Sequence, residues 1–246
     1  MSAWASSVDS AAQAFLPTLD DDATLDGDDG HHLQRVLRLR VGQTVIGADG
    51  DGGWRPYAVR SLAPGRVELA ASAPVEHEPE GRPRLGVAFA LTKQDKPERV
   101  VQQLTELGID SILAVATERS VVRWDARQAD ANLARWSRVA RSAAAQCRRA
   151  RLPELAFLPA IGDLLRRTGL LVATVGGRPV LDVVLPASEQ VIALIGPEGG
   201  FSDSEAAMLL GVPTIGVGHH VLRAETAACV VGGCLTALRA RGYNGA

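Results

Sequence analysis

Beyond about residue 84 the sequence alternates short apolar runs with helical patterns, and no other feature restricts the possible folds as much. The runs are Leu85 to Leu91, Ile112 to Thr117, Leu155 to Leu158, Leu170 to Val175, Val191 to Ile195 and Thr214 to Val217. Most are apolar at nearly every position rather than at every second one, the pattern of a strand buried on both faces. Such strands separated by helices predict an α/β fold, a largely parallel sheet with helices on both sides. Two helices carry start signals. Asp95 and Glu98 form a capping-box-like pair with Pro97 in the first turn; Val100, Val101, Leu104 and Leu107 make the apolar stripe, and Gly108 ends it. Ser202 and Glu205 open a second helix through Leu210. A longer amphipathic helix covers about Ala129 to Ala150, with Leu133, Trp136, Val139, Ala143 and Cys147 on one face.

The preceding part reads differently. From about His31 to Ala73, apolar runs (Gln43 to Ile46, Trp54 to Val59, Arg66 to Ala70) are split by turn residues such as Asp49-Gly50-Asp51-Gly52-Gly53, which predicts a small β-barrel or meander. Residues 73–84 (APVEHEPEGRPR) concentrate Pro, Glu and Gly without an apolar period, as an interdomain connection does. The expected domains are therefore residues 1–75 and 82–246.

Charge bears on the choice of partner. The formal net charge of −2 conceals seven aspartates and no Lys or Arg in residues 1–30, which leaves 21 acidic against 26 basic residues in the remainder. The densest basic stretch holds Arg123, Arg127, Arg135, Arg138, Arg141, Arg148, Arg149 and Arg151, a stripe that suits a phosphate backbone or a solvated helix face. No run of eighteen apolar residues occurs, and Met1 to Ser10 lacks the basic and apolar blocks of a signal peptide, so a cytoplasmic location is expected. Cys147, Cys229 and Cys234 have no metal-ligand spacing and sit in patterns that read as buried helix, so they are expected to be structural.

Two nucleotide motifs fail. Gly216-Val217-Gly218-His219-His220-Val221 starts like a dinucleotide fingerprint, but Val221 occupies the third glycine position; a P-loop is absent. The informative stretch is Ile195-Gly196-Pro197-Glu198-Gly199-Gly200-Phe201-Ser202, between an apolar strand and a capped helix. A glycine-rich turn at a strand's carboxyl end lets backbone approach a ligand closely. A second loop, Val217 to Thr226, also follows a strand and opens a helix, and it carries Arg223, Glu225 and Thr226: a cation, a base and a hydroxyl. The two loops together can wall one pocket.

At these residues the chain resembles a known family. LIGPEGGFSDSE (194–205) and VGHHVLRAETA (217–227), with LTKQDKPERVVQQLTELGI (91–109), TERSVVRWD (117–125) and RVLRLRVGQ (35–43), are similar to the RsmE family of 16S rRNA uridine methyltransferases, in the family's order. The resemblance implies a PUA-like β-barrel followed by a SPOUT-type α/β domain with a trefoil knot, a homodimer, and S-adenosylmethionine as methyl donor without a metal. It implies donor contacts from Thr174, Val175, Gly196, Glu198, Gly199, Gly200, Val217, Gly218, His220 and Leu222. Arg223, Glu225 and Thr226 stand at its catalytic positions, and 16S rRNA within the small ribosomal subunit is the implied partner. Arg35, Arg38, Arg40, Lys93, Arg119 and Arg123 are candidate RNA phosphate contacts.

The chain also departs from the family. Val217-Gly218-His219-His220 stands where Leu-Gly-Pro-Arg is common, Ala224 replaces a common Thr, and Ala145 and Arg148 replace a usual Glu and Gly. Two other readings share parts of this pattern. A SPOUT ribose 2′-O-methyltransferase of tRNA or rRNA would share the pocket, but the RVLR block and the LRAET end argue against it. A non-catalytic RNA-binding ribosome-assembly factor would share the fold, and binding of S-adenosylmethionine separates it.

Overall fold

The turn-divided runs near the N-terminus form a sheet in the computed structural model, which describes residues 12–27, 30, 31, 34, 39–91, 96–120, 122–186 and 189–243. The strands are β1 (Ala12–Phe15), β2 (Asp22–Leu25), β3 (Thr44–Ala48), β4 (Gly53–Ala63), β5 (Arg66–Ala71) and β6 (Glu76–His77). Their order is β1-β3-β4-β5-β2, with β6 on β4; β1 is parallel to β3 and every other pair is antiparallel. Asp49 accepts hydrogen bonds from the backbone N–H groups of Asp51 and Gly53, which closes the turn between β3 and β4. Val45, Tyr57, Val59, Val67 and Leu69 make one core. Ile46, Ala48 and Trp54 gather with Phe15, Ala144 and Ala150 in another.

This unit is not continuous in sequence, because residues through Glu80 group with Ala144–Leu152. Glu78 holds the later segment, its carboxylate accepting from the N–H groups of Ala150 and Arg151 at 2.7 and 2.9 Å. Gln13 donates to the Arg149 carbonyl at 2.8 Å. Part of the stretch expected as a plain connection is therefore sheet and anchor. The sequence pattern also gives no sign of β1 and β2, four-residue strands on either side of an aspartate cluster.

The second unit holds Gly81–Ala143 and the chain from Pro153. All six expected runs are strands: β7 (Arg84–Ala90), β8 (Ser111–Val115), β9 (Glu154–Leu158), β10 (Leu170–Pro179), β11 (Gln190–Ile195) and β12 (Thr214–Gly216). They pair in parallel in the order β12-β10-β11-β7-β8-β9. The helices are α1 (Lys96–Glu106), α2 (Ala126–Cys147), α3 (Ile161–Leu164), α4 (Asp203–Met208) and α5 (Ala224–Tyr243). Leu85, Val87 and Phe89 of β7 join a core with Val101 and Leu104 of α1, Trp136 and Ala140 of α2, and Ala228, Val231 and Leu235 of α5. Ala88 of β7 joins Leu113, Ile192 and Leu194 in a separate core with Ile161 and Leu164 of α3 and Leu209, just past α4. The sheet is covered on both faces, and the strands accordingly read as unbroken apolar runs.

Two sequence expectations change here. Cys147 is exposed at the end of α2 rather than on its buried face. The arginine run is not one solvent stripe: Arg149 is buried, the Arg151 guanidinium donates to the Glu78 carbonyl, and Arg135 pairs with Glu98 at 3.0 Å. An amphipathic period reports only which face is apolar, so it cannot show which arginines acquire partners distant in sequence.

β10 runs past its expected end at Val175 to Pro179. Ile215 of β12 pairs with Ala173 and again with Arg178, so Thr174 to Gly177 leave the strand and return. Gly177 is required at that return, because a Cβ there would lie 2.6 Å from the Ile215 carbonyl oxygen.

Candidate functional site

Three strand ends meet at the carboxyl edge of β10, β11 and β12, where open α/β sheets bind ligands. After β11, residues 197–200 form a turn closed by the Gly200 N–H donating to the Pro197 carbonyl at 2.9 Å, with Gly200 at φ +69°. Ser202 then caps α4: its hydroxyl accepts from the Glu205 N–H, and the Glu205 carboxylate accepts from the Ser202 N–H. After β12, residues 217–223 lead into α5, whose first turn includes the Ala227 N–H donating to the Arg223 carbonyl at 2.8 Å.

These two loops and the β10 excursion enclose one cavity of about 430 Å³. Thr174, Val175, Gly196, Glu198, Gly200, Val217, Gly218, His220 and Leu222 all line it. Gly199 does not; its carbonyl faces outward and accepts from the Arg119 guanidinium at 3.2 Å. The polar side chains among the lining residues are Thr174, Glu198, Thr214 and His220, and the other walls are aliphatic, aromatic or bare backbone.

Arg223, Glu225 and Thr226 sit beside the cavity rather than in its wall. Arg223 is exposed between two lining residues, Leu222 and Ala224; Thr226 is exposed just before a third, Ala227; Glu225 is half-buried in the first turn of α5. One turn on from Glu225, Cys229 donates through Sγ to Gln103 Oε1 at 2.9 Å. Burial first, and the Glu225 charge second, push that thiol up from its ordinary range, which keeps it protonated.

Of the candidate RNA contacts, Arg35, Arg38 and Lys93 lie outside the described residues. Arg40 is exposed at the turn before β3. Arg123 is exposed and donates to the Glu118 carbonyl at 3.4 Å. Arg119 is half-exposed over the Gly199 carbonyl, with Asp203 at 3.9 Å.

Sequence reasoning missed the cavity's contribution from α5, where Ala227 and Val231 line it, because apolar helix residues look the same whether they meet core or ligand. It also missed a clasp. Besides capping its own helix, Glu205 accepts from the Glu118 N–H at 2.8 Å, and Glu118 in turn accepts from the Ser204 hydroxyl at 2.7 Å. Hydrogen bonds from Ser204 and then Ser202 hold the Glu118 carboxyl below its ordinary range. The Ser202 and Glu205 pair was visible as a helix start; its partner 87 residues away was not.

A family model described as an RNA methyltransferase domain matches residues 79–236, and one described as an RNA methyltransferase PUA domain matches residues 25–71. The chain is 34% identical over 245 residues to the ribosomal RNA small subunit methyltransferase E of Mycobacterium tuberculosis, spanning 92% of each protein. It is 28% identical over 219 residues to the Bacillus subtilis protein of the same name, spanning 83% of this chain and 85% of that one. Among solved structures, it is similar to a Legionella pneumophila protein in complex with bound S-adenosylmethionine, at a TM-score of 0.80 and 25% identity over 95% of this chain and 98% of that one. A Neisseria gonorrhoeae ribosomal RNA small subunit methyltransferase E shares the fold at a TM-score of 0.79 and 24% identity over 93% and 98% of the two chains.

Proposed function

The chain belongs to the ribosomal RNA small subunit methyltransferase E family of RNA methyltransferases, and from that membership we propose that it methylates N3 of a uridine in 16S ribosomal RNA, with S-adenosylmethionine as donor. The observation that carries this reading is the single cavity shared by the two glycine loops and the β10 excursion. Its residues fit the donor. The volume of about 430 Å³ lies within the usual range for small-molecule pockets. Val217 and Leu222 offer apolar walls to an adenine, exposed backbone of both loops offers amides and carbonyls, and the Glu198 carboxylate suits a cationic ligand.

S-adenosylmethionine, when bound, supplies a methyl group on a sulfonium that leaves readily. The protein's task is then to orient and activate the nucleophile. Uridine N3 carries a proton, and its lone pair is delocalised, so it attacks only after that proton leaves. The anion so formed spreads onto the flanking carbonyl oxygens, where the Arg223 guanidinium stabilises it, and Glu225 takes the proton directly or through one water. Thr226 hydrogen-bonds the base beside them. The base reaches these groups by leaving its stack.

The remaining assignments rest on the same reading. The donor turn is proposed as part of a trefoil-knotted, SPOUT-type domain; the double pairing of Ile215 on either side of Thr174 to Gly177 supports it. A homodimer is supported by apolar side chains left exposed around the cavity, Val221 at 84% and Val175 at 52%. A ribosomal substrate supports a cytoplasmic location. Among the described residues no helix is long and apolar enough to cross a membrane.

The test is methylation of small ribosomal subunits from a strain lacking the gene, followed by mass spectrometry of nucleosides. N3-methyluridine at one site is the expected product; a 2′-O-methyl product, or none despite donor binding, would reject the assignment. A separate outcome concerns the RNA contacts. Replacing Arg40 and Arg123 together with alanine is expected to weaken RNA binding and flatten its dependence on log salt by about 1–2 units, leaving the modified uridine the same. An unchanged salt slope, measured by filter binding, removes both from the interface.

A further inference from the structure

The donor turn has little of its own to hold it. The Gly200 to Pro197 hydrogen bond closes it, but a turn this rich in glycine needs outside anchors to keep one conformation. Those anchors come from the loop after β8. Glu205 is 3% exposed, and its side chain does not line the cavity although the next residue, Ala206, does. One carboxylate oxygen accepts the Ser202 N–H at 2.9 Å and the other accepts the Glu118 N–H at 2.8 Å. On the outer side, Arg119, adjacent to Glu118, reaches the Gly199 carbonyl.

We propose that Glu205 is a positioning residue of the methyl-donor site, its buried carboxylate fastening the loop after β8 to the loop after β11, with Arg119 completing the fastening at Gly199. This rests on the reading that S-adenosylmethionine occupies the cavity. The residue type follows from the geometry. Two N–H donors converge on one side chain, and only a carboxylate presents acceptors on both oxygens; glutamine would turn an NH₂ group toward one of the donors. Aspartate is one methylene too short to span the same two groups. Arg119 then acts on donor affinity through the turn, whereas a phosphate contact at the same position would act on RNA affinity.

The experiment is calorimetric titration of the full-length protein with S-adenosylmethionine in the absence of RNA, with RNA binding measured alongside. Glu205→Gln is expected to raise the Kd for S-adenosylmethionine about tenfold, and to raise its KM far more than it lowers kcat, as loss of one buried hydrogen bond and of loop order would. Arg119→Ala, an exposed change that leaves the core alone, is expected to raise the Kd about threefold with RNA affinity held within about twofold. Donor affinity unchanged in both variants, with a shift only in thermal unfolding, reduces the clasp to a helix cap and overturns the proposal. Loss of RNA affinity without loss of donor affinity in Arg119→Ala overturns it as well. If Glu205→Gln fails to fold, Arg119→Ala decides alone. Wild-type protein that takes up no S-adenosylmethionine overturns the reading of the cavity itself, an outcome distinct from uptake that is normal in every variant.

Discussion

Arg223→Ala is expected to lower kcat by about 10²–10³ while the affinity for S-adenosylmethionine stays near wild type, because the cation acts on charge that appears only as the uridine proton departs. Its position supports that separation. Arg223 itself does not line the cavity, but both of its neighbours do, so its side chain can be removed without reshaping the donor pocket. Single-turnover kinetics at saturating donor and RNA measure the effect. Raising the pH should partly restore the variant, since a uridine without its stabilising cation ionises only in more alkaline solution. A variant that keeps kcat and loses only RNA affinity would make Arg223 a docking group. Glu225→Gln separates the proton acceptor from the anion stabiliser, since it keeps the shape of the first turn of α5 and removes only basicity.

The second large effect is on stability. Trp136→Ala should cost about 3–5 kcal/mol, the range for emptying a fully buried aromatic site. Trp136 is fully buried in α2, stacked on Phe89 of β7 at 5.7 Å and edge-on to Trp124 at 5.3 Å, and Trp124 meets Phe157 of β9 at 5.4 Å. The cluster ties α2 to two strands of the sheet. Its indole N–H has no acceptor among the described residues. Trp136→Phe should therefore cost far less than the alanine change, since it keeps a ring against Phe89 and removes that unmatched donor. Denaturant unfolding of both variants checks this, and similar losses in the two would mean that packing of the ring is not what matters.

How much of this was readable in the sequence depended on how local each determinant is. The second unit was legible because a strand covered on both faces must be apolar almost throughout, as Ile112 to Val115 and Val191 to Ile195 are. The first unit was legible only at its hairpins. β1 and β2 lie on either side of Asp20 and Asp21, β2 itself opening on Asp22, and four residues are too few to display a period. Likewise the two donor loops announced themselves through glycine, and their meeting at one cavity followed from lying at the same edge of a parallel sheet. Glu205 shows the limit: its role as a cap is written within three residues, but its role as a fastener depends on the Glu118 N–H, which only the folded chain brings near.

The interrupted first unit imposes an order on biosynthesis. Phe15, Ile46 and Trp54 complete their packing only with Ala144 and Ala150, so the ribosome must pass Leu152 before that layer can close. By then β7, α1, β8 and all of α2 have already been synthesised. The nascent N-terminal third therefore waits, with an apolar flank uncovered, for roughly sixty residues of unrelated chain, and a fragment cut at Glu80 would keep that flank exposed to aggregation for good.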